Sequence, residues 1–121
     1  ILFINIINIM AVIHLSDENF KEEVIDKSKE KPVVVCASAL EWCQPCKYFF
    51  PIFTSVSNRM DSKIVFAELD IDTCLDSATR HLAGLRGVPA LFLWKNSKIV
   101  STKVGAQSES DFVKWLEKEV N

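Results

Sequence analysis

The chain has 121 residues, of which 49% are hydrophobic and 25% charged, with a net charge of −2. This is the composition of one globular domain, large enough for a real core but not for two, and far from that of a disordered chain. It excludes a basic nucleic-acid binder, because no run of Lys and Arg is available to neutralise phosphates, and no stretch reaches the roughly eighteen uninterrupted apolar residues of a stable membrane insertion.

Residues 1–9 are apolar but interrupted by Asn5 and Asn8. They lack the positive leading region and small-residue cleavage site of a signal peptide. They read as an extra N-terminal segment, an artefact of the gene model with Met10 as the natural start. The remnant of a targeting segment is the alternative, and the domain proper then spans 10–121.

Ala11 to Leu15 reads as a short strand in which His14 has no assigned role. Ser16 supplies an N-cap, and Phe20, Val24 and Ile25 mark the buried face of a helix reaching about Lys29. Val33 to Ser38 is an apolar, β-branched run, the pattern of a strand buried on both faces. The loop 39–42 leads into a helix from Cys43 to about Asn58, with Phe49, Phe50, Ile52, Phe53 and Val56 as its buried surface and Pro51 as a kink. Ile64 to Ile71 is a third strand. Asp72 and Thr73 are expected to cap a helix over Cys74 to Ala83, which Gly84 stops. After the turn Gly87-Val88-Pro89-Ala90, the strands Leu91–Trp94 and Ile99–Val104 form a hairpin around Lys95–Lys98. Ser108 and Asp111 resemble a capping box before a last helix whose Phe112, Val113, Trp115, Leu116 and Val120 recur at helical spacing. Strands alternating with helices argue for a parallel sheet covered on both faces, with the hairpin as an antiparallel edge.

Chemistry concentrates at Trp42-Cys43-Gln44-Pro45-Cys46-Lys47. In a first helical turn, residues i and i+3 share an edge at a Cα spacing that a disulfide can bridge. The pair can open and close without unfolding anything. The positive end of the helix dipole favours the first sulfur, Cys43, as the nucleophilic thiolate. A strand that ends at C-x-x-C and flows into a helix reads as a redox site. Zinc fails on ligand count: Cys36, Cys74, His14 and His81 are scattered singly, whereas a structural site needs four close ligands.

From Met10 onward the chain resembles the thioredoxin family. The resemblance rests on WCQPCK at Trp42 to Lys47, the helix proline Pro51, Arg86-Gly87-Val88-Pro89 and Lys103-Val104-Gly105-Ala106, all in the family's order and spacing. It implies an α/β thioredoxin fold: a central mixed, mostly parallel sheet, helices on both faces, and a C-terminal β-hairpin plus helix. It implies a protein dithiol–disulfide oxidoreductase that reduces disulfides in other proteins. It further implies that no cofactor is bound beyond the redox-active Cys43–Cys46 pair, and that thioredoxin reductase would recycle that pair with NADPH. Cys43 would be the exposed nucleophile and Cys46 the resolving thiol that releases reduced substrate. Trp42, Gln44 and Pro45 would flank the substrate. Pro89 would be the family's cis-proline, and Val88 would offer its backbone to a substrate segment as an extra strand.

The chain departs from the family at several positions. Gln44 replaces the usual Gly, in a place that tunes reducing strength. Ala37 replaces the buried Asp thought to manage the proton of Cys46, and Glu68 replaces that acid's Lys partner. Glu68 is therefore expected to carry a carboxylate toward Cys46 and take over the acid–base role; the alternative is an exposed Glu. Ala39 and Ala83 stand where the family often has aromatics, which leaves the flank of the site less aromatic. Cys74 is either a regulatory thiol activated at a helix start or small apolar packing. Cys36 reads as inert packing, and His81 and Arg86 as surface residues. The expected setting is cytoplasmic, with an organellar or secretory thiol oxidase or isomerase, or a docking subunit of a larger assembly, as alternatives.

Overall fold

A computed structural model describes residues 11–120; the readings of residues 1–9 and of Met10 lie outside them. The β-branched runs form five strands: β1 Val12–His14, β2 Val33–Ser38, β3 Val65–Asp70, β4 Ala90–Lys95 and β5 Lys98–Val104. They make one mixed sheet in the order β1-β3-β2-β4-β5. β1 and β2 both run parallel to β3, while β4 is antiparallel to β2 and to β5. Every residue of β2 is buried, which is why its sequence is a continuous apolar run rather than an alternation.

The helices are α1 Gln44–Met60, α2 Leu75–His81 and α3 Glu109–Val120. Alternation along the strands sends successive side chains to opposite faces. On one face Val34, Phe66, Leu91 and Leu93 meet Phe49, Phe53 and Val56 of α1 and Phe112 and Leu116 of α3. On the other, Val33, Val35, Leu69 and Phe92 meet Phe20, Val24, Ala78 and Leu82. α1 continues through Pro51 and ends two residues beyond the expected Asn58.

The first helical stretch differs from its expectation. Ser16 does cap it: its Oγ accepts the Asn19 N–H at 3.1 Å, while Asn19 Oδ1 accepts the Ser16 N–H at 2.8 Å. The body, however, is a π-helix over Lys21–Asp26 that tightens into a 3₁₀ turn at Lys27–Lys29. The Ile25 carbonyl is taken by the hydroxyls of Ser28 and Ser97, both at 2.9 Å. The regular ladder gives way where the β4–β5 hairpin ties onto it. That hairpin turns at Asn96 and Ser97, both at positive φ, as a two-residue turn matching strand twist requires.

The capping of α2 also departs from the sequence reading. Asp72 does not cap it; the Asp72 N–H instead donates to Asp70 Oδ1. The first turn of α2 is capped from across the chain by Asp17, whose Oδ1 accepts both the Ser77 N–H at 2.8 Å and the Ser77 hydroxyl at 2.7 Å. These two bonds, the hydroxyl's first, hold the Asp17 carboxyl below its ordinary range. α3 is capped as expected, with Ser108 Oγ accepting the Asp111 N–H.

Candidate active site

The C-terminal ends of β2 and β3 and the start of α1 converge on the two cysteines. Cys43 is the N-cap of α1, in extended conformation, and its sulfur accepts the Cys46 N–H at 3.2 Å. A sulfur in that place satisfies one of the helix's unpaired donors and sits in the positive field of its terminus. Pro45 in the first turn costs nothing, because the N–H it lacks has no helical partner there. Cys43 and Cys46 are paired as a disulfide, with Cα atoms 5.2 Å apart.

Around the pair lie Ala39, Leu40, Ile71 and Val88, an apolar collar that excludes water from the sulfurs. Cys43 is 5% exposed and Cys46 1%. The expected order of exposure is present, but Cys43 is nearly enclosed rather than openly exposed, because the collar closes over it. Its sulfur lies 3.6 Å from the Val88 carbonyl. The Val88–Pro89 bond is cis, and Pro89 is buried behind the site while Val88 is half-buried. Trp42 is 61% exposed beside the pair, and Gln44 and Pro45 are exposed on the first turn of α1.

Sequence reasoning missed what holds Trp42. Its indole N–H donates to Asp72 Oδ2 at 2.9 Å, so the residue expected to cap α2 instead braces the active-site aromatic.

Glu68 is buried, which overturns the alternative of an exposed Glu. Its carboxylate meets His14 Nδ1 at 2.9 Å and the Ser38 hydroxyl at 3.4 Å. Among the described residues, no hydrogen bond joins it to Cys46. His14, Glu68 and Cys36 are register neighbours across β1, β3 and β2, a juxtaposition that depends on strand order. Ala37 packs on the other face of the sheet with Ala67, Leu69 and Ala90.

The remaining cysteines are sealed away. Cys74 is buried and its thiol donates to the Leu15 carbonyl at 3.2 Å. Burial pushes this thiol up, only partly offset by the Thr73 hydroxyl, so α2 does not activate it and the regulatory alternative is corrected to packing. Burial likewise pushes up the Cys36 thiol, with the Glu68 carboxylate adding to it. His81 is not a plain surface residue: its ring stacks on Phe20, with centroids 4.9 Å apart. Among the described residues, no three His, Cys, Asp or Glu side chains gather where a metal ion could be held, and no helix is long and apolar enough to cross a membrane.

Comparison with known proteins agrees with this geometry. Residues 11–118 match the thioredoxin family model. The chain is 36% identical over 106 residues to the thioredoxin of Buchnera aphidicola subsp. Baizongia pistaciae, covering 88% of this chain and 93% of that protein. It is 31% identical over 110 residues to thioredoxin C-2 of Corynebacterium nephridii and 33% identical over 110 residues to the thioredoxin of Acidithiobacillus ferridurans, covering in each case 91% of this chain and 97% of the relative. With a paired C-x-x-C at the mouth of a helix and similarity along nearly all of its described length, the chain belongs to the thioredoxin family and is a dithiol–disulfide oxidoreductase.

Proposed function

We propose that the chain reduces disulfides in other proteins, with Cys43 as nucleophile and Cys46 as resolving thiol. The observation that carries this reading is the placement of the Cys43 sulfur: it accepts a helix N-terminal N–H and lies beside Cys46 and the Val88 carbonyl. The Cys43 thiolate attacks one sulfur of the substrate disulfide, the other sulfur leaves and takes up a proton, and a mixed disulfide joins substrate to Cys43. Cys46 then gives up its proton and attacks the Cys43 sulfur. The internal disulfide closes, and the substrate leaves as its second thiol. Two electrons pass from the cysteine pair to the substrate.

A substrate segment would pair with the backbone of Val88, before Pro89, as an added strand, with Trp42, Gln44 and Pro45 at its edge. Glu68 would receive the proton of Cys46. Its burial supports that role, and its bonds to His14 and Ser38 would make the transfer indirect. The oxidised pair would be returned to the dithiol by thioredoxin reductase at the expense of NADPH, in the cytoplasm.

Two measurements test this. Cys46→Ser should accumulate the mixed disulfide with a protein substrate, while Cys43→Ser should form none and reduce nothing; adduct formation through Cys46 alone would reverse the assignment. The reduction potential of the pair should lie near the roughly −270 mV of thioredoxin, and a value near about −180 mV would favour the oxidase or isomerase reading instead.

A further inference from the structure

β5 closes the sheet on one side: it pairs with β4, and among the described residues no strand lies beyond it. In an antiparallel ladder, alternate residues of such an edge turn their N–H and C=O away from the partner strand. The Gly105 N–H bonds to the Pro89 carbonyl, and Lys103 and Ser101 follow in the same phase, opposite Leu91 and Leu93. Thr102 and Val104 are therefore the residues whose backbone groups face outward. The Val104 carbonyl meets the Gln107 side-chain amide at 3.5 Å, while Thr102 presents both its N–H and its C=O. The side chains divide between the two faces of the sheet. Ser101 lies under α3, where its hydroxyl accepts the Trp115 indole N–H at 3.0 Å, and Lys103 shares that face. Thr102 and Val104 are exposed on the other. Between β5 and α3 runs a groove of about 380 Å³ lined by Lys103, Gln107, Asp111, Lys114, Trp115 and Lys118. Three positive charges stand there against one negative, on a chain whose net charge is −2. Among the described residues none of these lysines has an ion-pair partner.

We infer that this edge docks an extended, acidic segment of a partner polypeptide, added to the sheet beside β5. The outward backbone of Thr102 calls for a strand, and the unpaired lysines call for carboxylates. A residue placed opposite Thr102 in an antiparallel strand exchanges two backbone bonds with it. Its two neighbours then fall on the α3 face, where their carboxylates meet Lys103, Lys114 and Lys118. The residue between them lies on the face of Thr102 and the exposed Val104, a setting that favours a β-branched side chain. The recognised pattern is therefore acid, apolar, acid. The register shift at Leu93/Trp94 ends the regular edge before Ser101, so the docked stretch is short. A second copy of this chain is the wrong occupant, because two such edges would set lysines against lysines. The docking asks nothing of the cysteine pair.

Titration of the isotope-labelled, oxidised chain with a short capped peptide of alternating Glu and Val, followed by NMR, tests this. The amides of Ser101, Thr102 and Lys103 and the Trp115 indole N–H should shift together, and added salt should weaken the binding. The same peptide with Lys in place of Glu should leave them unmoved. Lys114→Glu combined with Lys118→Glu, at two exposed positions, turns attraction into repulsion and should weaken binding about tenfold or more. Thr102→Pro removes an outward N–H at an edge position where proline is tolerated. It should weaken binding as far, with every charge in place. Binding that survives the lysine substitutions, or that survives Thr102→Pro, overturns the inference, since one removes the charges from it and the other the strand. The absence of shifts, or equal binding of the Lys peptide, does the same. Displacement of the peptide by inorganic phosphate at equal ionic strength would mean a site for any anion, and self-association abolished by Thr102→Pro would make a second copy the occupant; either result also overturns it.

Discussion

Phe112 is where the two helices of one sheet face are fastened together, and its removal tests the account of how the active-site helix is held. The side chain is fully buried. Its ring lies 5.2 Å from Phe49 edge-on, 5.7 Å from Phe53 in a stack, and 6.4 Å from both Phe66 and Trp115. Truncation of a buried Phe to Ala costs about 3–5 kcal/mol. Each aromatic pair adds roughly 0.5–1.5 kcal/mol beyond its area, and four such pairs put Phe112→Ala at the upper end, about 4–5 kcal/mol. Against a total stability of roughly 5–15 kcal/mol, that is a large fraction. With a urea slope of about 1.5 kcal/mol per molar, the midpoint should fall by about 3 M. Phe112→Leu, which keeps most of the volume, should lose less than half as much. Urea denaturation followed by circular dichroism of the oxidised protein reads both. A loss under about 2 kcal/mol for the alanine variant would mean that the cluster relaxes into the cavity, and that α1 is anchored elsewhere.

Two further predictions concern charge. Glu68→Gln keeps the shape of the side chain but cannot take a proton. It should lower kcat/KM for protein-disulfide reduction about tenfold, less than the roughly hundredfold or more of direct general acid–base catalysis because its bonds to His14 and Ser38 would make the transfer indirect, and should change the shape of the pH–rate profile; an unchanged profile would sink the role of Glu68. Asp17 has a folded-state value lowered by its bonds to Ser77. Its contribution is therefore present in full above the unfolded carboxyl value of about 3.9 and is lost as the pH falls through the lower folded value. The wild type should be more stable than Asp17→Ala at pH 7, and thermal melts at decreasing pH should show the gap closing below about pH 4. A gap that does not change with pH would mean that the charge of Asp17 plays no part in capping α2.

Much of this was legible because local patterns and tertiary environment agree. β2 announced its burial on both faces by an unbroken apolar run, and the C-x-x-C announced its helix start by the tolerance of that turn for Pro45. The hairpin followed from two strand-like runs closed by Asn96 and Ser97. What the sequence did not show are features made by contacts across the chain. Asp17 caps a helix 60 residues away, a bond no local capping signal encodes, and Asp72, which looked like that cap, turned to Trp42. The first helix read as regular because its Phe20–Val24 spacing fits an α-helix. It is instead a π-helix that tightens into a 3₁₀ turn, and its Ile25 carbonyl is bonded by Ser28 and by Ser97, on a hairpin more than 70 residues later.

Glu68 shows why the active-site chemistry was harder to read than the fold. The resemblance implies an acid at position 37 and a lysine at 68; here the acid is at 68 and an alanine at 37. Listed along the chain, this resembles an acid moved to the adjacent strand. The sheet makes it a different change. Ala37 lies among Ala67, Leu69 and Ala90 on one face, whereas Glu68, in register with Cys36, belongs to the other. There its carboxylate is engaged by a buried serine and by a histidine whose side chain is largely exposed. A buried carboxylate without partners is costly, and His14 and Ser38 are what make this one tolerable. The same two bonds bear on the acid–base role proposed for it. An acid facing Cys46 directly would exchange a proton in one step. Glu68 is bonded to His14 and Ser38 instead, so the proposed transfer from Cys46 would be indirect. The pH–rate profile of Glu68→Gln therefore reports on the placement of a charge that the strand sequence alone could not orient.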